Sequence, residues 1–184
     1  MRIITGIHRG RRLAPPKDDA IRPTTDRSRE SLFNLLLHGK FDESPVIGQS
    51  VLDLCCGTGA LGLEALSRGA AHVTFVDSAR QAIALTKQNI ATLNEASRSK
   101  VITADVAKLP RANAPVALVM MDAPYHTPLI LPAYKSLQAG GWLREGTVLA
   151  LEMSIKDATP ELKGCTALTE RVYGKSKIVL LMVE

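Results

Sequence analysis

Short apolar runs alternate along this chain with longer stretches in which apolar residues recur every three or four positions, the signature of strands alternating with helices. The clearest unit is an apolar run at residues 51–54 that enters the turn Cys55-Cys56-Gly57-Thr58-Gly59 and then a helical segment with Leu63 and Leu66 on one side. A second strand is predicted at 72–77, a helix at 79–93 with Ile83, Ile90 and Leu93 inward, and a third strand at 100–103. Residues 116–121 are apolar throughout and predict a central fourth strand. A helix at 129–137, a fifth strand at 148–153 and a hairpin around Gly174, from about 165 to 183, complete the pattern.

Upstream, Arg2 to Thr5 alternates weakly, and with Gly6, Gly10 and Arg12-Leu13 it predicts a short hairpin. Residues 14–23, with Pro15, Pro16 and Asp18-Asp19, read as a loop. Thr24-Thr25-Asp26 then supplies a cap for a helix with Leu32, Phe33, Leu35 and Leu36 on its apolar face and Arg27, Arg29 and Glu30 on the other. The alternation predicts an α/β fold: a mainly parallel sheet with helices on both faces.

Composition narrows the class. A length of 184 residues and 46% hydrophobic content fit one substantial domain, with at most a small appendage. No apolar run has the length of a membrane span, and the N-terminus lacks the apolar core of a signal peptide. Cys55, Cys56 and Cys165 have neither disulfide-framework nor metal-ligand spacing, so no metal is expected, and reduced thiols in a cytoplasmic protein are.

Charge changes the picture further. Residues 1–40 hold nine basic and four acidic side chains, while the other 144 carry fourteen of each, so the net charge of +5 sits in the N-terminal fifth. Such clustering is the footprint of a polyanion contact, with a solvated basic face as the alternative.

The glycine turn has competing readings. Gly57, Gly59 and Gly62 satisfy G-x-G-x-x-G, a dinucleotide fingerprint that is weak alone. Asp53 argues against it, because a carboxylate at the mouth of a pyrophosphate site repels phosphate. Beside the cationic amino-acid part of S-adenosylmethionine (SAM) the same charge is favourable, and Asp-x-x-x-Gly-x-Gly resembles the first motif of SAM-dependent methyltransferases. A strand-end Asp that merely caps the loop is the plain alternative.

In open α/β sheets ligands bind beyond the carboxyl ends of the strands, where Asp53, Asp77, Asp105 and Asp122 are all expected to fall. Asp77 follows the glycine loop at the spacing of a ribose-binding carboxylate. Asp105 is read either as reaching a cofactor's adenine end or as a cap on the next turn. Asp122-Ala123-Pro124-Tyr125 resembles the (Asp/Asn)-Pro-Pro-(Tyr/Phe) motif of methyltransferases that modify exocyclic amines of nucleobases. Such an amine is a poor nucleophile because its lone pair is delocalised into the ring. Acceptors on the Asp122 side chain and the Ala123 carbonyl grip its hydrogens and stabilise the positive charge that develops on nitrogen. Tyr125 offers a face for stacking an extruded base. Ala123 stands where the motif has proline, which keeps the carbonyl and loosens the backbone.

Longer matches extend the resemblance over almost the whole chain. Met1-Arg2-Ile3-Ile4-Thr5-Gly6, Arg9-Gly10-Arg11, the segment from Arg22-Pro23-Thr24-Thr25-Asp26-Arg27 to Phe33-Asn34, Gly59-Ala60-Leu61-Gly62-Leu63-Glu64-Ala65 and Arg171-Val172-Tyr173-Gly174-Lys175 are similar to RsmD-type methyltransferases. The resemblance implies a Rossmann-like class I SAM-dependent methyltransferase with a seven-stranded sheet and an antiparallel last strand. It implies methylation of a guanine N2 amine in 16S ribosomal RNA (rRNA) of small subunits or their assembly intermediates, in the bacterial cytoplasm. Nothing in the sequence requires more than a monomer. Residues 1–21 become a basic hairpin-and-loop extension and 22–184 the methyltransferase domain.

Carried onto this sequence, Asp53, Gly57, Thr58 and Gly59 hold the methionine part of SAM, Asp77 and Ser78 its ribose, and Ala104 and Asp105 its adenine end. Asp122, Ala123, Pro124 and Tyr125 form the amine and base site. Arg2, Arg9, Arg11, Arg12, Arg22, Arg27 and Arg29 face RNA. Two other functions remain: a DNA adenine-amine methyltransferase, which shares the tetrapeptide chemistry, and a catalytically silent RNA-binding assembly factor.

Overall fold

The computed structural model describes residues 1–16, 26–39 and 41–184. Arg22 and the Thr24-Thr25 cap therefore lie outside the described residues, as does the expected boundary between 21 and 22. The elements are α1 (Asp26–His38), β1 (Ser50–Leu54), α2 (Ala60–Ser67), β2 (His72–Asp77), α3 (Arg80–Leu93), β3 (Ser99–Thr103), β4 (Leu118–Asp122), α4 (Ile130–Ala139), β5 (Val148–Ser154), β6 (Cys165–Tyr173) and β7 (Ser176–Val183).

One seven-stranded sheet runs in the order β3-β2-β1-β4-β5-β7-β6. The β1–β2, β2–β3, β1–β4 and β4–β5 pairs are parallel, and β7 is antiparallel to both β5 and β6. The mainly parallel sheet with an antiparallel last strand is thus what the chain forms. Because β7 returns between β5 and β6, Ser154 pairs with Ser176 and the turn after Tyr173 lies at the carboxyl edge of the sheet.

Period-two alternation sorts the strand residues into two layers. Val51, Val73, Phe75, Leu118, Met120, Val148, Ala150, Ile178 and Leu180 pack under α1, α2 and α3. Leu52, Leu54, Val76, Val119, Met121, Leu149, Leu151, Val179 and Leu181 pack under α4, with Trp142 and Leu162. The central strands are buried on both faces, as parallel sheets require.

All eight residues of α2 are buried, because the N-terminal segment covers the side turned away from the sheet. That segment is a minimal hairpin: Arg2 and Arg12 form an antiparallel bridge, and Ile3 and Leu13 enter the core beside Leu32, Phe33 and Leu36. Burial on every side leaves Glu64 of α2 without water, so protein groups must satisfy it. Its carboxylate accepts from the Ile4 and Thr5 amides at 2.8 and 3.0 Å and from Arg68 Nε at 2.8 Å, with Arg29 Nε 3.7 Å away.

This corrects the placement of Arg29. It was expected on the polar face of α1, yet it is wholly buried, and its Nη2 donates to the Arg2 carbonyl at 2.6 Å and to Asp26 at 3.0 Å. The pull of the buried Glu64 carboxylate outweighs the solvation that the helical pattern implied.

Gly62 has a steric reason to be glycine. A Cβ there stands 2.2 Å from Cε1 of the buried Phe75 ring and 2.8 Å from Val73 Cγ1. Gly62→Ala is expected to destabilise the fold by about 1–3 kcal/mol, the usual cost of overpacking a filled core. A urea titration checks this; an unchanged midpoint means that the Phe75 ring can yield.

Candidate active site

The carboxyl ends of β1, β2 and β4 open on a cleft of about 950 Å³. Asp53, Cys55 to Thr58, Asp77, Ser78, Asp105 and Asp122 to Tyr125 line it. Asp53 and Asp77 take part in strands β1 and β2, and Asp122 is the last residue of β4. Ala104 does not line the cleft; its amide donates to the Asp77 carbonyl at 3.1 Å. Asp105 departs from the expected strand end, since β3 stops at Thr103. Its carboxylate accepts from the Ala107 amide at 2.9 Å and opens a short 3-10 turn at Val106–Lys108, so it caps that turn while still lining the cleft.

The glycine loop is held in a conformation that ordinary residues resist. Cys55, Gly57 and Gly59 all have positive φ, at 56°, 54° and 77°. Asp77 braces the loop: its carboxylate accepts from the Gly57 amide at 3.0 Å and from the Ala79 amide at 2.9 Å, joining the loop to the start of α3. From α3, Thr86 Oγ1 donates to the Gly57 carbonyl and Asn89 Nδ2 to the Thr58 carbonyl, both at 2.9 Å. Asn89 Oδ1 also accepts from the Ala14 amide, so one side chain ties the N-terminal segment to the loop. Neither Thr86 nor Asn89 was singled out in the sequence. The available signal was two polar residues on the face of α3 that also carries Ile83 and Ile90.

Asp53 is the unusual group. It is almost completely buried; Oδ2 accepts from the Gly62 amide at 2.9 Å, and Oδ1 has no partner among the described residues. Burial, reinforced by the Asp122 and Asp77 charges, outweighs that hydrogen bond and pushes its pKa up to about 8. A cavity built in this way suits a cation. The same burial raises the thiol pKa of Cys55 to about 12, so Cys55 is no nucleophile at neutral pH.

Beyond the end of β4, Tyr125 Oη donates to Glu152 at 3.3 Å, and the burial that chiefly raises its pKa keeps the phenol protonated. Glu152 on β5 and the residues from Val172 to Ser176 also line the cleft, none of them singled out beforehand as site residues. Ala123 is buried against the α4 layer. The following residue pair closes the loop: His126, at φ 61°, reaches Asp157 at 2.8 Å.

The arginines are dispersed. Arg27 is exposed and lines the cleft. Arg2, Arg9, Arg11 and Arg12 are exposed on the N-terminal hairpin. The tip of that hairpin rests on the ends of α2 and α3, with the Ile7 amide on the Ser67 carbonyl and Arg11 Nη2 on the Thr92 carbonyl. Those helix ends lie at the edge of the sheet away from the cleft. Arg29 faces no ligand surface. No helix among the described residues is long and apolar enough to cross a membrane.

The family described as conserved hypothetical protein 95 matches residues 1–182. Ribosomal RNA small subunit methyltransferase D of Escherichia coli (strain K12) is 35% identical over 177 residues, spanning 95% of this chain and 86% of that protein. Its counterpart in Haemophilus influenzae is 36% identical over 182 residues, spanning 95% and 89%. The solved structure of yhhF from Escherichia coli superposes with a TM-score of 0.83 at 33% identity, covering 100% of this chain and 98% of that one.

Proposed function

The chain belongs to the family of conserved hypothetical protein 95, the RsmD-type ribosomal RNA methyltransferases, and on that premise we propose that it transfers a methyl group from SAM to the exocyclic N2 amine of one guanine in 16S rRNA. The substrate is the small ribosomal subunit or an assembly intermediate, met in the bacterial cytoplasm. The observation that carries the reading is a buried carboxylate with one oxygen unpartnered among the described residues, Asp53, lining one cleft with a braced glycine loop and with the Asp122-Ala123-Pro124-Tyr125 corner on the neighbouring strand.

The donor set fits SAM. Asp53 answers a cationic ammonium, Gly57 and Thr58 bring backbone to the cleft, and the positions of Asp77, Ser78 and Asp105 along the same cleft suit the nucleoside. Gly59 does not line it, and a Cβ there would meet Thr86 and Phe75 in the core. When bound, SAM supplies an electrophilic methyl group on a sulfonium. The residues of this chain then have to aim a weak nucleophile. Asp122 and the Ala123 carbonyl accept the two amine hydrogens, which turns the nitrogen lone pair outward and favours the charge that grows on it. Tyr125 and Pro124 flank the base plane. The proton is lost to water after transfer, since the methylated nitrogen is acidic, and no side chain is needed to abstract it first.

Asp53 supplies a pH signature. With a pKa of about 8 it is mostly protonated at pH 7 in the ligand-free protein. A cation beside it favours the carboxylate, so SAM binding at pH 7 is expected to expel about one proton. Affinity is then expected to rise toward pH 8 and level off above it. Calorimetry in buffers of different ionisation enthalpy reads this proton directly, and Asp53→Asn is expected to abolish it. Equal proton release in both proteins would remove Asp53 from the ligand site.

Methyl transfer itself is tested with labelled SAM offered unmodified small subunits, naked 16S rRNA and unmethylated DNA in parallel. Label on a single guanine of the subunit supports the reading. Label on DNA adenine alone, or SAM binding with no transfer anywhere, would move the assignment to a DNA methyltransferase or a silent assembly factor.

A further inference from the structure

We propose that Glu152 distinguishes guanine from adenine by accepting the N1–H of the base whose amine Asp122 holds; the inference rests on the methyltransferase reading above. The parallel register of β4 and β5 pairs Asp122 directly with Glu152. Leu118 and Met120 share a core layer with Val148 and Ala150, so two residues on, Asp122 and Glu152 fall on the same side of the sheet. Neighbouring strands lie about 4.8 Å apart. Two carboxylates thus stand side by side where the strands end, and both line the cleft together with Pro124 and Tyr125.

The chemistry of the two purines decides what such a pair can read. In guanine the N2 amine and N1–H are adjacent, two donors on one edge. In adenine the amine is flanked by ring nitrogens that carry lone pairs and no hydrogen. A single acceptor at Asp122 grips either amine, which is why the tetrapeptide alone serves both kinds of enzyme. A second carboxylate beside it accepts the guanine N1–H and repels the adenine lone pair. Tyr125 Oη donates to Glu152 Oε1 at 3.3 Å and fixes the carboxylate's orientation. Tyr125 is one of its partners, and a carboxylate with about four lone-pair sites accepts several bonds at once. Tyr125 therefore has a second duty besides stacking: it is the positioning residue for Glu152.

The test uses 2,6-diaminopurine, which keeps the guanine N2 amine but has an unprotonated N1. Subunits are reconstituted with guanine or diaminopurine at the position that the labelling experiment maps. Wild-type protein is expected to prefer guanine by roughly a hundredfold in kcat/KM, because a half-buried acceptor that the bound base seals from water is strongly penalised when it faces a lone pair. In Glu152→Gln the side-chain amide can turn its N–H toward N1 of diaminopurine. The guanine rate is expected to fall roughly ten- to hundredfold and the preference to collapse toward parity. Tyr125→Phe, which keeps the ring and removes the hydroxyl, is expected to reduce the preference partway. SAM affinity, measured separately, should be unchanged in both variants.

An equal loss on both purines in Glu152→Gln, leaving the preference intact, overturns the inference while the methyltransferase reading stands. If Glu152→Gln no longer binds SAM, the Tyr125→Phe preference decides: an unchanged value overturns the proposal, a reduced one supports it. A wild-type protein inactive on guanine overturns the underlying reading and this inference with it.

Discussion

Asp122→Ala is expected to lower methyl transfer by roughly two to three orders of magnitude while SAM still binds, the usual loss when a group aimed at charge developing in the transition state is removed. Asp122→Asn separates two explanations of that loss. An amide oxygen still accepts from the amine, so an acceptor role predicts a loss of no more than about tenfold for Asn. A role as proton-abstracting base predicts that Asn is as poor as Ala. A second readout links the two carboxylates. The Asp122 charge contributes to the raised pKa of Asp53. In either variant the rise of SAM affinity with pH should therefore level off below pH 8. Single-turnover rates and equilibrium binding over pH 6–9 measure both. Affinity profiles that coincide with wild type would show the two carboxylates to be electrically independent.

Glu64→Ala is expected to cost about 3–5 kcal/mol of stability, a large part of the roughly 5–15 kcal/mol available to a domain. The carboxylate holds the Ile4 and Thr5 amides and faces two arginines, of which Arg29 is wholly buried. Its removal strands a guanidinium away from water and releases the N-terminal segment from α2. Glu64→Gln keeps one acceptor and is expected to lose less. Urea unfolding measures the midpoint, and a loss below about 1 kcal/mol would mean that water solvates Arg29 once the cover loosens.

Much of this was legible in the sequence, and what was not has common causes. The strand at 72–77 is observed within its expected bounds, because apolar runs bounded by turn residues are local signals. Asp53, Asp77 and Asp122 could be recognised at strand ends for the same reason. Asp105 lies two residues past the end of β3, and of its two readings the cap on the next turn is what the structure has, a local signal like the others. Arg29 reads as a polar-face residue because its partner Glu64 is distant in the chain and the covering segment precedes both. Glu152 sits in a run, Val148 to Ser154, that looks like plain core strand. Its importance depends on lying beside Asp122, an adjacency created by a crossover through α4. Thr86 and Asn89 are likewise polar residues on a buried face whose partners are backbone carbonyls of a loop about thirty residues earlier.

The antiparallel return of β7 has a consequence for how such an enzyme diversifies. A parallel last strand would leave its connections at both edges, but this hairpin delivers a bare turn, Tyr173-Gly174-Lys175, to the rim of the cleft. Nothing lies within 4 Å of a Cβ added at Gly174, so the turn stands in open space, and its φ of 61° is the left-handed conformation that glycine favours. Insertions there would lengthen a wall around the incoming nucleotide without disturbing any strand register. On the proposed function, the corner that holds the base is thus anchored in the sheet, while the rim that meets the neighbouring RNA is a loop free to change length.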